Sequence, residues 1–554
     1  MNSGFTRNVF SRFSSAVMSR DIYFFAFLFL VILILRGPTL FNDYYNAHEL
    51  DALVQVRDFI AGDIPGKDFA ESKKIIYHLL YRAAHKVSYD YGWAFLHLFT
   101  IFIVFFTSSF VYLTGKRITG RKTAMAASLF YGIMISSFNS DFMATGREIV
   151  CNLFLSAGFF FFIILISSSD SIRKKALCFF LTLLMAWCAF NVSTHGIILI
   201  IFLLLFSAFY IPYREWGIKS QYFAGLAVLV VSCFSVFFIG YLVKDKFVHL
   251  LVGHGTAKIN EFFAAGGDYS PADFLFRFIH RQGILLLWHF ILWVPSAVYT
   301  WLFLTRRFKG TDIKEAALML FTLTAWITVF SGGSRIYFHY FITVYPFLAL
   351  TAAISLARSD KRIIEKINRH MVKLIIIPAL FFFLWNIKDI AVKHFYPESF
   401  YSENPVFSIT RQFILGADKH YLLPAEDYRD AADYIKNSTK VNDAVFVWGE
   451  GPYINYYAER RMGGEHLRMK SRAGRIAALY ADGTRDAILK ARKIENEIIA
   501  PLVRKRPAVI ADVSGNGFDG FHISLKESRH LYKYVKNNYY FDRSINGIDI
   551  YRRR

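Results

Sequence analysis

The feature that most constrains this chain is a recurrence of long apolar runs, near 22–36, 92–114, 124–138, 149–167, 176–190, 195–211, 222–242, 284–304, 315–331, 338–357 and 371–387. They make about eleven stretches at the ~20-residue scale a helix needs to cross the hydrocarbon of a bilayer. Inside lipid, backbone polar groups must be satisfied within the chain, so such runs imply membrane-spanning helices. Composition agrees, with 55% hydrophobic and 19% charged residues, more apolar and less charged than an ordinary soluble domain.

The net charge of +22 does not indicate a nucleic-acid partner, because the basic residues cluster between apolar runs rather than along one stripe. That pattern belongs to membrane topology and to attraction by anionic lipid. With the N-terminus cytoplasmic, the loops KRITGRK (116–122), SIRKK (171–175), YREWGIK (213–219), RRFKGTDIK (306–314) and ARSDKRIIEKINRHMVK (357–373) all fall on the cytoplasmic side. The same alternation places 37–91, 139–148, 191–195, 243–283, 332–337 and the tail after residue 390 outside. Arg7, Arg12 and Arg20 precede a run ending at Arg36 without a small-residue cleavage site, which reads as a retained first span. Cys151, Cys178, Cys188 and Cys233 all sit in apolar runs, where thiols behave as small hydrophobes, and suggest neither disulfides nor zinc.

The tail changes character. YRDAADYIKNS reads as a helix, DAVFVWG as a buried strand and YINYYAERR as helix-like. A helix over ILKARKIENEIIAPLVRK, a strand over PAVIADVS, a helix over SLKESRHLYKYVKN and a hairpin around Asn546-Gly547 follow. The predicted fold class is thus a polytopic α-helical membrane protein with a transmembrane domain over 1–390. A small extracytoplasmic α/β domain with a partly parallel sheet follows over 391–554. No Gly-rich nucleotide-binding motif appears in it.

Candidate chemistry concentrates in the first external loop. Residues 41–82 carry Asp43, His48, Glu49, Asp51, Asp58, Asp68, Glu71 and Lys73. As a helix over 46–61, this segment puts Leu50, Leu53, Val54, Ile60 and Ala61 on one face and His48, Asp51, Gln55 and Asp58 on the other. That predicts a helix lying on the membrane surface, its underside toward lipid. Glu49 falls at the border of the apolar face, where partial desolvation suits a general base. A solvated acidic face with no catalytic role is the competing reading. Lys73 and Lys74 suit a phosphate as point charges, or simply lipid headgroups. Arg147-Glu148 opens the fourth run from outside, either as a mutual salt bridge or as groups in use. SGGSRIYFHYF (331–341) sets Arg335, His339 and Tyr340 at an outer boundary, with the Arg335 guanidinium suited to gripping a phosphate. His254, His280 and Arg281 show no metal-ligand spacing.

The order of parts resembles the GT-C membrane glycosyltransferases, closest in pattern to the protein O-mannosyltransferases and the lipid A aminoarabinose transferases. Those families show Asp-Glu, then Gly and Pro-x-x-Asp, then His- or Glu-Lys-Pro-Pro. Here His48-Glu49 stands where Asp-Glu is expected. Gly62, Pro65 and Asp68 match the turn and Lys73 matches the lysine, with Lys74 and Ile75 replacing the prolines. Residues 335–353 and 431–461 look like the family's late span and external domain.

The resemblance implies transfer of a sugar from a polyprenyl-phosphate-linked donor to an acceptor hydroxyl at the outer face of a bacterial inner membrane, with inversion. The acceptor is a lipid, glycan or protein, and no cofactor is implied. Glu49 would be the base, with His48 in place of the family Asp and with Asp43 and Asp51 as candidates in a shifted register. Lys73, Lys74, Arg147 and Arg335 would hold the donor phosphate, and Glu148, His339 and Tyr340 would line the pocket. A transporter or lipid flippase is the alternative, but such proteins favour internal repeats and midplane charges, and neither is seen. A binding protein that retains the fold without activity is a third reading.

Overall fold

The computed structural model describes residues 18–41, 47–60, 75–87, 92–136, 140–167, 172–216, 289–304, 313–330, 338–358, 424–449, 452–464, 469–515 and 521–554. Its first part is a helical bundle. The helices are α1 (Met18–Arg36), α2 (Ala47–Ile60), α3 (Ile75–Val87), α4 (Gly92–Ile118), α5 (Arg121–Met134), the single turn α6 (Ser140–Met143), α7 (Arg147–Ser167), α8 (Ile172–Val192) and α9 (Ile197–Trp216). They continue with α10 (Phe290–Leu304), α11 (Ile313–Phe330), the single turn α12 (Phe338–Phe341) and α13 (Tyr345–Arg358). Nine of the apolar runs read from the sequence hold helices among the described residues, whereas the runs at 222–242 and 371–387 lie outside them. Among the described residues, four helices are long and apolar enough to cross a membrane: Asp21–Leu40, Ala94–Ile118, Arg147–Ser167 and Ile172–Val192.

Each spanning helix is apolar all round but buries only part of its circumference. In α1, Phe24, Leu28, Ile32 and Leu35 pack inward while Tyr23, Phe27, Leu30 and Ile34 stay exposed. On α8, Phe179, Phe180, Leu183 and Trp187 are exposed likewise. Water penalises such a continuous apolar surface and hydrocarbon does not.

Charged clusters mark one end of the bundle. Asp21, in the first turn of α1, pairs with Lys116 at the end of α4 at 2.5 Å and with Arg121 at the start of α5 at 3.1 Å. Arg358, ending α13, pairs with Glu315 near the start of α11. At the opposite end Arg36 closes α1. Its buried guanidinium donates to the carbonyls of Ile135 and Phe142, each at 3.0 Å, and to that of Met143 at 2.6 Å. The carbonyls of Ile135, Phe142 and Met143, left over at helix ends, thereby gain a partner.

The second part forms a five-stranded sheet in the order β2-β1-β3-β5-β4, from β1 (Ala444–Trp448), β2 (Arg461–Met462), β3 (Val509–Asp512), β4 (Tyr539–Ile545) and β5 (Ile548–Arg553). β1 runs parallel to both β2 and β3, and β5 is antiparallel to β3 and β4. Every β3 residue is buried, as a central strand covered on both faces requires. The β4–β5 turn at Asn546-Gly547 has φ of 49° and 77°. Positive φ at both positions matches the right-handed twist of a two-residue hairpin, which favours Asn-Gly there. Helices α14 (Pro424–Ser438), α15 (Pro452–Tyr457), α16 (Met469–Asp482), α17 (Arg485–Lys505) and α18 (Arg529–Asn538) surround the sheet. The domain boundary placed near 390 lies outside the described residues.

The structure corrects the expectation for α2. Its apolar side is not laid on lipid but covered by protein on two flanks. Ala52, Leu53 and Val56 join the bundle core, while Leu50 joins the core of the sheet domain. Arg57 donates to the Asn455 carbonyl at 3.0 Å and to the Arg460 carbonyl, fastening α2 to the segment around α15. Hydropathy identifies an apolar face, but lipid and a protein core satisfy it equally.

Candidate active site

Glu49 lies in the first turn of α2, where a carboxylate complements the helix dipole. It is 1% exposed rather than at a lipid edge. The fastening of α2 on both flanks drives its start into the end of the bundle, against the loop between α6 and α7. There the Thr145 backbone N–H donates to Glu49 Oε1. From α4, His97 brings Nε2 to 3.5 Å from the same oxygen, and its Nδ1 lies 2.7 Å from the Thr39 carbonyl oxygen.

Thr145 is the node that joins these elements. Its carbonyl accepts from Tyr81 at 3.0 Å and lies 3.1 Å from the Tyr77 hydroxyl, and the two phenol oxygens are 2.8 Å apart. Its hydroxyl is 2.8 Å from that of Thr100 on α4. Both tyrosines come from α3, four residues apart and so on one helix face. Burial pushes the Tyr77 phenol up, against the pull of the Arg147 guanidinium. Burial and then the Tyr77 and Glu49 oxygens push Tyr81 up as well. Both phenols are therefore neutral donors at physiological pH.

The pair read from the sequence at 147–148 divides its partners. The half-buried Arg147 guanidinium sits 5.3 Å from the centre of the Tyr77 ring, a cation–π arrangement. Glu148 is 3.6 Å from His195 Nδ1, and the His195 ring meets the Tyr340 ring edge-on at 5.5 Å. So Glu49, Glu148, Arg147 and Tyr340 converge at the bundle end opposite the Asp21 cluster. Asp43, Lys73, Lys74 and Arg335 lie outside the described residues, as do the side chains of His48, Asp51 and His339. Among the described residues no group of three metal-ligating side chains comes together.

Sequence reasoning missed His97, His195, Tyr77, Tyr81 and Thr145. A signal existed for His97, because an ionisable residue within an apolar run is a functional candidate by default. Nothing local marked the two tyrosines, since tyrosine beside a span reads as an interfacial anchor.

No protein-family model matches the chain, and no curated protein matches its sequence. Solved structures do resemble it. ArnT from Cupriavidus metallidurans in the apo state aligns with a TM-score of 0.52 and 11% identity, covering 97% of this chain and 98% of that one. The same protein bound to undecaprenyl phosphate aligns at 0.49 and 12%, over 97% and 98%. The archaeal oligosaccharyltransferase AglB from Archaeoglobus fulgidus, in complex with an inhibitory peptide and a dolichol-phosphate, aligns at 0.46 and 11%, over 98% and 75%. At such identity the likeness to apo ArnT establishes the fold alone. The chain shares the fold of apo ArnT, which is the fold expected from its resemblance to the GT-C membrane glycosyltransferases.

Proposed function

We propose that this chain transfers a sugar from a polyprenyl-phosphate-linked donor to an acceptor hydroxyl at the outer face of the membrane, with inversion. The observation that carries the reading is the convergence on one bundle end of Glu49 from α2 with Arg147 and Glu148 from α7. Support comes from the fold shared with ArnT. A lipid-linked donor has its tail in the bilayer and its phosphate at the interface, so chemistry on it belongs at the end of a spanning bundle.

The residues divide the work by type. Glu49 takes the proton of the acceptor hydroxyl as that oxygen attacks the anomeric carbon. The bond from that carbon to the phosphate oxygen breaks on the opposite face, and its electron pair leaves on the polyprenyl phosphate. Arg147 uses its flat face on Tyr77, which keeps the N–H edges of the guanidinium for phosphate oxygens. Lys73, Lys74 and Arg335 are proposed as further phosphate contacts. Glu148, oriented by His195, and Tyr340 line the sugar side of the pocket. The α/β domain sits on the same outer side, covering α2.

The test uses membranes with and without this protein, supplied with radiolabelled polyprenyl-phosphate sugars. Label should pass to a lipid, glycan or protein acceptor, with release of polyprenyl phosphate, only when the protein is present. Movement of intact donor between leaflets without any transfer would replace this reading by that of a flippase.

A further inference from the structure

The expected surface helix, α2, is covered by protein, but its neighbour α3 presents a face of the kind that lies on a bilayer. Tyr77, Leu80, Tyr81 and Ala84 of α3 are buried, whereas Leu79, Arg82, Ala83, Lys86 and Val87 are exposed. The exposed set follows i, i+3, i+4, i+7 and i+8, so it forms one stripe along the helix. An ordinary solvated face is polar, and this one is not. Leu79 is 55% exposed and Val87 61%, and both charges between them are positive. Among the described residues, neither Arg82 nor Lys86 has a hydrogen-bond or ion-pair partner.

The surroundings of α3 indicate what covers the stripe. It packs against α4 and α8, which both pack against α7. Its Tyr77 ring lies against Arg147 at the start of α7. α3 therefore crosses the bundle at the Glu49 end. There α4 exposes Leu98, Phe99 and Phe102, and α8 exposes Leu183, Trp187 and Phe190. Aromatic side chains near the end of a spanning helix, tryptophan above all, belong at the level of the headgroups. The stripe on α3 thus continues a surface that α4 and α8 turn to lipid. In water, Leu79 and Val87 would enlarge an uncovered apolar patch. At the membrane interface they enter the acyl boundary, while the longer Arg82 and Lys86 side chains reach up to phosphates.

We propose that α3 lies in the membrane interface and binds anionic phospholipid. Leu79, Ala83 and Val87 rest against the acyl chains, and Arg82 and Lys86 hold the headgroup phosphates. Charge selects this partner, because the stripe offers two cations and no carboxylate. The opposite face of α3 carries Tyr77 and Tyr81, whose hydroxyls meet the Thr145 carbonyl, so the bilayer braces the loop that contacts Glu49. The lipid contact stands on the exposed face of α3 and does not depend on sugar transfer.

The test uses the full chain in nanodiscs of equal parts phosphatidylcholine and phosphatidylglycerol. A nitroxide is attached at Ala83→Cys, with the signal of the labelled parent chain subtracted. Arg485→Cys, at the exposed start of α17 in the sheet domain, is the aqueous reference. The label at position 83 should collide more with oxygen and less with a water-soluble nickel chelate than the reference does. In the same discs, phosphatidylglycerol carrying a diazirine beside its phosphate should crosslink to the peptide 75–87. Unlabelled phosphatidylglycerol should compete and phosphatidylcholine should not. Crosslinking should fall about 5-fold for each cation removed in Arg82→Gln/Lys86→Gln, the factor expected of one basic residue at an anionic surface. Nickel collisions at position 83 equal to those of the reference would put the stripe in water and overturn the proposal. Low collision with both agents would overturn it too, since protein, such as a second copy of the chain, would then cover the stripe. Crosslinking unchanged by the double variant, or displaced equally by phosphatidylcholine, would remove the anionic headgroup. If the double variant does not fold, the competition in the parent chain still decides that point.

Discussion

Glu49 makes a structural contact and is also given a chemical task, and substitution separates the two. Glu49→Gln keeps a side-chain oxygen in place to accept the Thr145 N–H, so α2 should remain seated. The loss in folding stability is then about 1 kcal/mol, the net worth of a hydrogen bond made weaker by loss of charge. Transfer should fall far more. A positioned general base contributes about 10²–10⁴-fold, equivalent to roughly 3–5 kcal/mol of activation free energy. Glu49→Ala removes the acceptor altogether and leaves a buried N–H without it, which costs about 1–3 kcal/mol more and should reduce the amount of folded protein. The assay is transfer of radiolabel from a polyprenyl-phosphate sugar, normalised to folded protein by size-exclusion chromatography. Normal turnover in Glu49→Gln, together with poor folding of Glu49→Ala, would refute the reasoning and make Glu49 an anchor for α2.

Arg57→Ala removes two donors that fasten α2 to the sheet domain, a loss of about 2 kcal/mol. It should show as faster hydrogen exchange in α2 and in the segment 455–460. Arg147→Ala should raise the KM for donor about 10-fold or more with a smaller change in kcat, as loss of a charge-assisted phosphate contact implies. Gly196→Ala would push a methyl group into the Ala189 backbone of α8, an overpacking cost of about 1–3 kcal/mol. It should move His195 from Glu148 and be read as reduced transfer at unchanged donor binding. Burial pushes the Asp512 carboxyl above its ordinary value of 3.8, against the donated N–H groups of Leu525 and Ser514. Its stabilising contribution is therefore complete below pH 3.8 and is lost as pH rises through the folded-state value. Asp512→Asn should flatten that slope, measured as hydrogen exchange of β3 across the acid range.

Much of the architecture was legible because its signals are local. Span-length apolar runs marked the helices of the bundle, and alternation with turn residues marked β1, β3 and the hairpin at Asn546-Gly547. The site was legible only in part. Glu49 stood out as a carboxylate at the edge of an apolar face, and Arg147-Glu148 as charges beside a span. His97 was hidden inside an apolar run, and Thr145 acts through a backbone N–H and carbonyl that every residue but proline possesses. The Glu49–Thr145 contact joins positions 96 residues apart, which no periodicity reports.

From sequence alone came the class of solvent this chain meets, the helices that meet it, and the loop that carries its acids. Which surface covers α2 was decided by tertiary structure. The hydrophobic effect scales with apolar area removed from water and is indifferent to what replaces the water. Leu50, Leu53 and Val54 therefore declare an apolar face but not its neighbour. Packing between the bundle and the sheet domain turned that face away from lipid, and in doing so carried Glu49 to His97 and the Thr145 loop.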